Sequence, residues 1–484
     1  MLLPRLSLAL AVSFTISSFA YANPALSKPS VMDIYQQALT NNPDLAAAHA
    51  DLKAKQELTP QAKAGLLPQL SAAAGTSHNR TSVDTTLGTI RKNRSGHSYQ
   101  ASLSQPLFRL DRWYQLKSAE SASEQATLEY SAVEQGLILQ SAEVYFAVLR
   151  AQDNLAATRA EEAAFNRQFE LANERFDVGL SDKTDVLQAQ AAFDAARANR
   201  IVAQRMVDEA YQALTTLTNQ HYTGLKGVKH NLPIVAPSPN DATSWVNTAA
   251  EQNLQLQAIH HAVNAAEQGV KQRKSAFAPS VDAVAQYQRG DNDALGMVNS
   301  LPDLPDLAGV VPRYNGNASQ RSIGIQLTIP LYTGGMLSSQ VREGVYRLDQ
   351  AEQMRESLRR QVVQDTRNYH RAVNTDVDTV QARRQAIISG LSAVEATQIG
   401  YDVGTRNIID VLDAQRQLYA AVRNYNNARY DYILNNLRLQ QAVGTLSPAA
   451  LQDLGLYLNP NYDPDADFLP PNLEAEIEAN LRRR

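Results

Sequence analysis

The sequence has 484 residues, no cysteine and nearly balanced charge, with 45 Lys and Arg against 49 Asp and Glu and a net charge of −4. The lack of cysteine excludes disulfide bonds, thiolate metal sites, thiol nucleophiles and the N-terminal acylated cysteine of a lipoprotein. Because charges of both signs are spread along the chain, no basic face indicates a nucleic-acid partner.

The N-terminus has the three parts of a secretory signal peptide. Arg5 supplies a positive charge, residues 6–19 are mostly apolar, and residues 20–22 form a small-x-small cleavage site. We therefore predict that residues 1–22 are a signal peptide. No later run reaches the roughly 18 apolar residues of a membrane-spanning helix, so the exported chain is predicted to have no helical membrane anchor.

The chain contains a long duplication. The sequence FDVG at 176–179 returns as YDVG at 401–404, and DVL at 185–187 returns at 410–412. Both offsets, 401 − 176 and 410 − 185, equal 225 residues. A duplicated unit of this length predicts a pseudo-symmetric protomer. We predict a first repeat at 23–220, a linker at 221–242, a second repeat at 243–447 and a C-terminal tail at 448–484.

Each repeat contains two segments in which apolar and polar residues alternate, at about 69–80 and 97–107 and at about 280–289 and 321–331. Segments of roughly ten residues with this pattern are typical of transmembrane β-strands, although a soluble half-buried sheet gives the same alternation. Four strands are too few for a closed barrel, and lipid does not tolerate an open sheet edge. If the strands enter a membrane, several copies must therefore share one barrel. The stretches 79–96 and 289–320 are predicted to be loops.

Long segments without proline predict helices far longer than those of ordinary globular proteins. Residues 111–175 contain one glycine, Gly136, and residues 337–398 contain two, Gly344 and Gly390. At ~1.5 Å per residue, such helices are roughly 90 Å long. In the segments that follow them, apolar side chains keep a heptad spacing, which is typical of coiled-coil packing.

Gly179 and Gly404 are predicted to end the long helices, because glycine readily adopts the left-handed conformation found there. Asp182 and Asn407 can cap the helices that follow. Each repeat is therefore predicted to form a helical hairpin, with tips near 179–185 and 404–413.

The tip sequence YDVGTRNIIDVLDA at 401–414, the sequence PLYTGG at 330–335 and the duplicated hairpins resemble the TolC family of bacterial outer-membrane efflux proteins. The similarity covers about residues 31–447. It implies a mainly α fold with a transmembrane β-barrel portion. Long antiparallel coiled-coil hairpins would form an α-barrel, and four strands per protomer would complete a trimeric 12-stranded barrel. The linker and the start of the tail would lie at the equator of the tunnel.

The function implied by this resemblance is a homotrimeric channel-tunnel in the bacterial outer membrane, with its helices extending into the periplasm. It would be the exit duct of a tripartite efflux pump or type I secretion system. The expected partners are further copies of the chain, a periplasmic adaptor (membrane fusion) protein, an inner-membrane pump of RND, ABC or MFS type, and outer-membrane lipid. No catalytic residue, metal, cofactor or nucleic acid is expected. The alternative is an exported structural or adhesive coiled-coil protein without a pore.

Asp410 and Asp413 are the candidate selectivity gate. They are one turn apart on the same helix face, so three copies would stack two carboxylate rings, and such rings favour cations. An acid in the first turn also complements the helix dipole, which gives Asp410 a purely structural interpretation as well.

The resemblance also implies a latch at the tip. Arg406 has no evident acidic partner in the sequence, and the family pattern pairs it and Tyr401 with the adjacent hairpin at Thr184 and Asp185. The tip turns at Gly179 and Gly404 are the expected adaptor contacts.

The transition from barrel to helix is expected at Pro106 in the first repeat and at Pro330, Gly334 and Gly335 in the second. Residues 106–111 read PLFRLD and lack the two glycines, so the two transitions are expected to differ. The stretch 459–484 is rich in proline and acidic residues, and we expect it to be largely disordered, with one short helix near 473–481.

Overall fold

The computed structural model describes residues 28–86, 88–291, 317–471 and 473. The predicted signal peptide at 1–22 lies outside the described residues, and so does most of the predicted loop at 289–320.

The first repeat begins with short helices, continues through a β-hairpin and ends in a helical hairpin. Its elements are α1 (Val31–Asn41), α2 (Pro43–Gln56), α3 (Leu58–Ala64), β1 (Gln69–Thr85), β2 (Gly88–Phe108), α4 (Leu110–Asp177) and α5 (Lys183–Thr218).

The rest of the chain contains a linker with one short strand, then a second repeat with two short helices, two strands and a helical hairpin, and then the short elements of the C-terminal tail. The elements are β3 (Gly227–Val228), α6 (Ala242–Gln252), α7 (Leu254–Ser275), β4 (Ser280–Asp291), β5 (Asn317–Thr328), α8 (Met336–Asp402), α9 (Ile408–Val443), α10 (Pro448–Gly455), β6 (Leu458–Asn459) and α11 (Pro464–Asp467).

The helical hairpins dominate the molecule. Helices α4 and α8 have 68 and 67 residues, and α5 and α9 have 36 residues each. At ~1.5 Å per residue, the long helices extend about 100 Å. None of the helices in the described ranges combines the length and the apolar character needed to cross a membrane.

The hairpin tips follow the predicted capping chemistry. Gly179 and Gly404 have φ of 76° and 79°, a region that residues with a Cβ rarely adopt. The carboxylate of Asp182 accepts hydrogen bonds from the backbone N–H groups that open α5, and the side chain of Asn407 accepts one at the start of α9. Because the two turns share this geometry, both hairpins close in the same way.

The four long strands form one antiparallel sheet in the order β1-β2-β4-β5. Strand β2 pairs with β4 only as far as Ser98↔Gly290, whereas β1 and β2 continue to pair through Thr85↔Gly88. Within the described residues, β1 and β2 therefore extend past the four-stranded sheet as a two-stranded ribbon.

The predicted loop at 79–96 is wrong, because these residues belong to that ribbon. Backbone pairing runs from Asn79↔Arg94 to Asp84↔Thr89, and the Thr89 hydroxyl donates to the Asp84 carboxylate at 2.6 Å. Polar residues dominate this stretch, so its composition could not be distinguished from that of a loop. The other strand limits also differ from prediction, since β5 starts at Asn317 and stops at Thr328, before the predicted limit of 331.

The main core lies where α1, α10 and the linker cover α4 and α9. Tyr145, Phe146 and Tyr430 are fully buried there beside Ile34 and Leu451. Strand β3 of the linker pairs with β6, which joins the linker to the C-terminal segment.

The expectation that the chain is disordered from residue 459 onward is wrong for the described part of the tail. Tyr462, Phe468 and Leu473 are 4%, 8% and 7% exposed. Three apolar side chains anchor this segment, although proline and aspartate dominate its composition. The predicted helix near 473–481 lies, apart from Leu473, outside the described residues.

Candidate functional site

The two hairpins of one protomer are linked just above their tips. The Arg175 guanidinium, at the end of α4, donates to the carboxylate of Asp402 at the end of α8, with an Nη2–Oδ1 distance of 2.6 Å. The same guanidinium lies over the ring of Tyr401, 4.6 Å from its centroid. A cation over an aromatic face is attracted by the ring quadrupole, so one arginine holds two neighbouring residues of α8.

Sequence reasoning missed this link. Arg175 immediately precedes the FDVG motif and Asp402 is part of the YDVG motif, and both motifs were interpreted only as turns. A second contact lies one to two turns higher, where the side-chain amide of Gln168 donates to Gln398 at 2.9 Å. The signal available in the sequence was the opposite charge of the two residues beside equivalent turns.

Within one protomer, the predicted latch residues contact residues of their own hairpin. Arg406 lies 3.8 Å from the carboxylate of Asp410, one turn further along the chain. Asp185 accepts a hydrogen bond of 2.8 Å from the Ser181 hydroxyl. Among the described residues, no contact joins Arg406 to Thr184 or Asp185.

The hydroxyl of Tyr401 has no hydrogen-bond partner among the described residues, although the side chain is 7% exposed. Its ring packs with Ile408, Val411 and Leu412. A single copy therefore uses Tyr401 as an apolar surface beneath Arg175, and the buried hydroxyl is left without a bond.

Each gate carboxylate lies beside an arginine of the same copy, Arg416 in α9 for Asp413 and Arg406 in the tip turn before α9 for Asp410. Asp413 accepts from Arg416 at 2.6 Å, and Asp410 lies 3.8 Å from Arg406. The side chains of Asp410 and Asp413 are 38% and 49% exposed, so water reaches both carboxylates. The nearby arginines reduce the negative charge that these acids contribute to the tip.

The two barrel-to-helix junctions use different chemistry. In the second repeat, Gly334 and Gly335 have φ of 62° and 84°, and Gly335 is the N-cap of α8. In the first repeat, Arg109 occupies the N-cap of α4 and pairs with Asp111 at 3.1 Å and with Asp282 of β4 at 3.3 Å. An ion-pair cluster therefore orients one helix, and a glycine turn orients the other.

Proline marks each of these junctions. Pro106 lies at an irregularity in the pairing of β2 with β4, between Pro106 and Phe108. Pro330 follows the last residue of β5, Thr328, by two positions. Proline lacks the backbone donor that a sheet ladder needs, which accounts for both positions.

The family of the chain follows from comparison with known proteins. The family model described as "Outer membrane efflux protein" matches residues 34–220 and 245–445, which lie within the two predicted repeats. The chain belongs to the TolC family of outer-membrane efflux proteins.

Curated TolC-family relatives match nearly the whole chain. It is 37% identical over 440 residues to the outer membrane protein TolC of Vibrio cholerae, covering 91% of this chain and 95% of the relative. Identity to TolC of Escherichia coli K12 is 33% over 438 residues, with 90% and 86% covered. The alkaline protease secretion protein AprF of Pseudomonas aeruginosa is 27% identical, with 87% and 86% covered.

Solved TolC-family structures share the fold. VceC of Vibrio cholerae superposes with a TM-score of 0.71 at 20% identity, covering 86% of this chain and 96% of that one. The CmeC channel of Campylobacter jejuni gives a TM-score of 0.70 at 17% identity, with 98% of both chains covered. The predicted fold class, a helical tunnel joined to a β-barrel portion, is confirmed.

The protein is thus an outer-membrane channel of the TolC family, and its helical tunnel extends into the periplasm. It serves as the exit duct of an efflux or secretion system. The alternative of an adhesive coiled coil without a pore has no support.

Proposed function

We propose that three copies of the chain form one closed 12-stranded barrel and a continuous helical tunnel. The observation that carries this proposal is the open sheet, whose edge strands β1 and β5 have no further partner among the described residues. Its outer face presents apolar side chains that are far more exposed than those of a soluble sheet: Leu70 is 76% exposed, Ile323 91% and Ile325 73%.

Both features have one common solution. Each unpaired backbone group in hydrocarbon costs several kcal/mol, so the edges must pair before the sheet can enter lipid. Pairing β5 of one copy with β1 of the next satisfies both edges after three repetitions and leaves the apolar side chains against lipid. Twelve strands also exceed the roughly eight of the smallest closed membrane barrels.

The proposed cargo follows from the names of the family model and of one relative. The family model is named for efflux, and AprF is named for secretion of a protease. A passive duct takes its cargo from the pump, so we propose export of small molecules, proteins or both, with no chemical step in this chain. A periplasmic adaptor would bind the tip turns at Gly179 and Gly404 and connect them to an inner-membrane pump.

The tip is proposed to be the gate. Within one copy, the Arg175–Asp402 pair joins the hairpins, and between copies we propose that Arg406 and Tyr401 contact Thr184 and Asp185. Exposed ion pairs are each worth about 0–1 kcal/mol, so a few of them close a gate that an adaptor can open.

The test is to measure the mass of the mature protein in detergent by native mass spectrometry and its conductance in planar bilayers. The expected result is a trimer with a small resting conductance. A pure monomer without any conductance would overturn the proposed assembly and its role as a duct together.

A further inference from the structure

Two open grooves lie on one face of the long helix α4. The upper groove, of about 450 Å³, is built by α4, α7 and α8, and the lower groove, of about 380 Å³, is built by α4, α5 and α9. In the upper groove, α4 contributes Gln125, Glu129, Ala132 and Val133. In the lower groove, it contributes Glu143, Ala147, Arg150 and Ala151.

The two grooves are stacked along the same side of α4. Each of the four lower residues follows its upper counterpart by 18 positions, as 143 follows 125. Eighteen residues are five turns at ~3.6 residues per turn, so both sets point the same way and lie ~27 Å apart along the helix.

This side of α4 is opposite to the one that carries the short outer elements. Tyr145 of α4 packs in the core with α1, and its hydroxyl donates to the Lys226 carbonyl of the linker. Ala147 lies two residues further along, about 200° around the helix from Tyr145. Helix α1 and the linker therefore lie on one side of α4, and the two grooves lie on the other.

In the proposed trimer, the grooves face the lumen. Twelve tunnel helices spaced 8–10 Å apart form a ring about 30–40 Å across between helix axes. Helices are about 10–12 Å thick, so three copies of α1 and the linker would obstruct the inside of such a ring. Because these elements must lie outside, both grooves belong to the wall along which cargo passes.

The upper groove has an apolar surface. Four alanines leave a hollow between the larger side chains: Ala132, Ala258, Ala262 and Ala351. Val133 and Met354 stand beside them and are 41% and 53% exposed. Contiguous exposed apolar surface marks binding sites, and a flexible methionine adapts to ligands of different shape.

The charge of the upper groove is balanced locally. Glu129 is the one charged side chain among the described residues that line it, and its carboxylate lies 3.0 Å from the Lys55 ammonium and accepts from Gln125 at 2.7 Å. The lower groove differs, because Arg150 and Arg438 line it. The upper groove therefore offers apolar contact without a strong preference for either sign of charge.

We propose that the upper groove is a contact site for small amphipathic cargo molecules on their way through the tunnel. This inference rests on the proposed function as a duct and specifies one class of its cargo, drug-sized molecules with an aromatic or aliphatic surface. Its volume of about 450 Å³ lies within the roughly 300–1,000 Å³ of small-molecule sites. Gln125 and Gln255 supply amide groups for the polar end of such a molecule.

The open form of the groove suits a duct. A passage conducts only when its contacts are favourable enough to admit cargo and weak enough to release it. The groove is formed within one copy, so a trimer carries three of them at one level and cargo passes from one to another.

The test uses the absence of cysteine from the chain, because an introduced thiol is then the only one. Ala351→Cys places a reporter in the upper groove, and Ala151→Cys places a matched reporter in the lower groove. Each variant is treated with N-ethylmaleimide in lipid nanodiscs, which leave both ends of the tunnel in contact with the solution. Intact-mass spectrometry measures the rate of thiol modification.

The probes are tetraphenylphosphonium, an apolar cation, and triphenylphosphine oxide, which is uncharged. A bound probe shields the thiol, so the rate for Ala351→Cys should fall about threefold when the probe concentration is twice its Kd, by the factor 1 + [probe]/Kd. The rate for Ala151→Cys should stay unchanged. Tetramethylammonium has the same charge as the first probe but little apolar surface, and it should shield neither thiol.

A polar version of the groove tests the chemical basis of binding. Met354→Gln with Leu358→Gln, added to the Ala351→Cys reporter, should raise the Kd of both probes about tenfold, because side chains of similar size then lose apolar contact. Met206→Gln in the lower groove is the matched control and should leave both Kd values unchanged.

Equal shielding of the two reporters, or shielding by tetramethylammonium, would overturn the site, because crowding or charge in the lumen would then explain the effect. An Ala351→Cys thiol that the probes do not shield, or that the reagent does not reach, would overturn it as well. Native mass spectrometry and bilayer conductance of the same proteins test the duct separately. A conducting trimer with an unshielded reporter rejects the groove alone, whereas a monomer without conductance rejects both proposals.

Discussion

Tyr462 donates its phenolic hydrogen to the carboxylate of Asp153, which is 2% exposed on α4. Tyr430 of α9 donates to the other oxygen of that carboxylate at 2.6 Å. The Tyr462 ring fits because residue 227 is glycine, since a Cβ there would lie 2.0 Å from the ring. One buried carboxylate therefore holds together both repeats and the C-terminal segment.

Replacing Tyr462 with Phe should destabilise the protein by about 1–3 kcal/mol, because one oxygen of the buried Asp153 then loses its donor. The thermal unfolding midpoint in detergent, followed by circular dichroism, should fall. Tyr457→Phe is the matched control, since the Tyr457 hydroxyl makes no hydrogen bond to the described residues. Equal midpoints for the two variants would show that the Tyr462 hydroxyl does not stabilise the segment.

The stability of this region should depend on pH through Asp153. Burial raises the pKa of its carboxyl from 3.8 to about 6, while the two tyrosine hydrogen bonds and Arg429 partly offset the shift. The folded state therefore keeps its proton when the unfolded chain has lost it, so stability is present at low pH and is lost as pH rises from about 4 to about 6. The full change is on the order of 3 kcal/mol.

His230 should make the stability depend on pH in the opposite direction to Asp153. Burial and nearby Arg429 lower the pKa of its imidazole to about 4, and its Nε2 hydrogen-bonds the Asp467 carbonyl at 2.7 Å. This stability is present above the unfolded pKa near 6.5 and is lost as pH falls towards 4. We therefore compare the thermal unfolding midpoint of each variant with that of the parent between pH 4 and 7. As pH rises, the difference between variant and parent should become more negative for His230→Gln and more positive for Asp153→Asn. If the curves of midpoint against pH run parallel for the parent and both variants, neither Asp153 nor His230 contributes the proposed pH dependence.

Arg175→Ala should raise the resting conductance in planar bilayers, because it removes the Arg175–Asp402 ion pair and the cation over Tyr401. An exposed pair is worth about 0–1 kcal/mol per copy, and three copies multiply its effect on a shared gate. Lys183→Ala is the control, since this neighbouring cation has no ion-pair partner among the described residues. If Arg175→Ala keeps the low resting conductance of the parent, the contacts of Arg175 do not hold the gate closed.

Arg406→Ser tests the proposed contact between copies. It should also raise resting conductance if Arg406 holds the adjacent hairpin. Asp410→Ala removes the carboxylate 3.8 Å from Arg406 in the same copy and serves as the comparison. If both variants raise conductance equally, the Arg406–Asp410 pair within one copy accounts for the effect, and the contact between copies is rejected.

The double variant Asp410→Ala with Asp413→Ala should weaken cation selectivity and block by divalent cations. Rings of carboxylates favour cations, and six acids would be lost from the trimer at the inner mouth. Reversal potentials in a salt gradient measure the effect, with Asp177→Ala as a control acid at the tip of the first repeat. If selectivity is unchanged, Asp410 and Asp413 do not act as selectivity rings and serve only as ion-pair partners of Arg406 and Arg416.

The sequence was most informative where the local pattern decides the structure. Helices α4 and α8 could be predicted because nothing in their sequences interrupts a helix. The capping roles of Asp182 and Asn407 could be predicted because a cap bonds backbone groups only two or three residues away. The links between Arg175 and Asp402 and between Tyr462 and Asp153 could not be predicted in this way. Each joins residues more than 200 positions apart, and only packing brings them together.

The strand ribbon and the C-terminal segment were missed for a different reason. Their composition suggested a loop and disorder. Their structure depends instead on backbone pairing and on a few buried apolar side chains, which composition does not reveal. The ribbon is held by backbone pairing, which any residue with a free N–H can make, and Tyr462, Phe468 and Leu473 anchor a segment that is otherwise rich in proline and aspartate.

The ribbon formed by β1 and β2 also has a consequence for the cell surface. It continues for ten residue pairs past the point where β2 leaves β4, which is ~33 Å of extended chain. In the proposed trimer, three such fingers would stand above the outer leaflet. Antibodies and bacteriophages that reach the cell surface would contact these fingers, so immune and viral selection should act on their sequence independently of export.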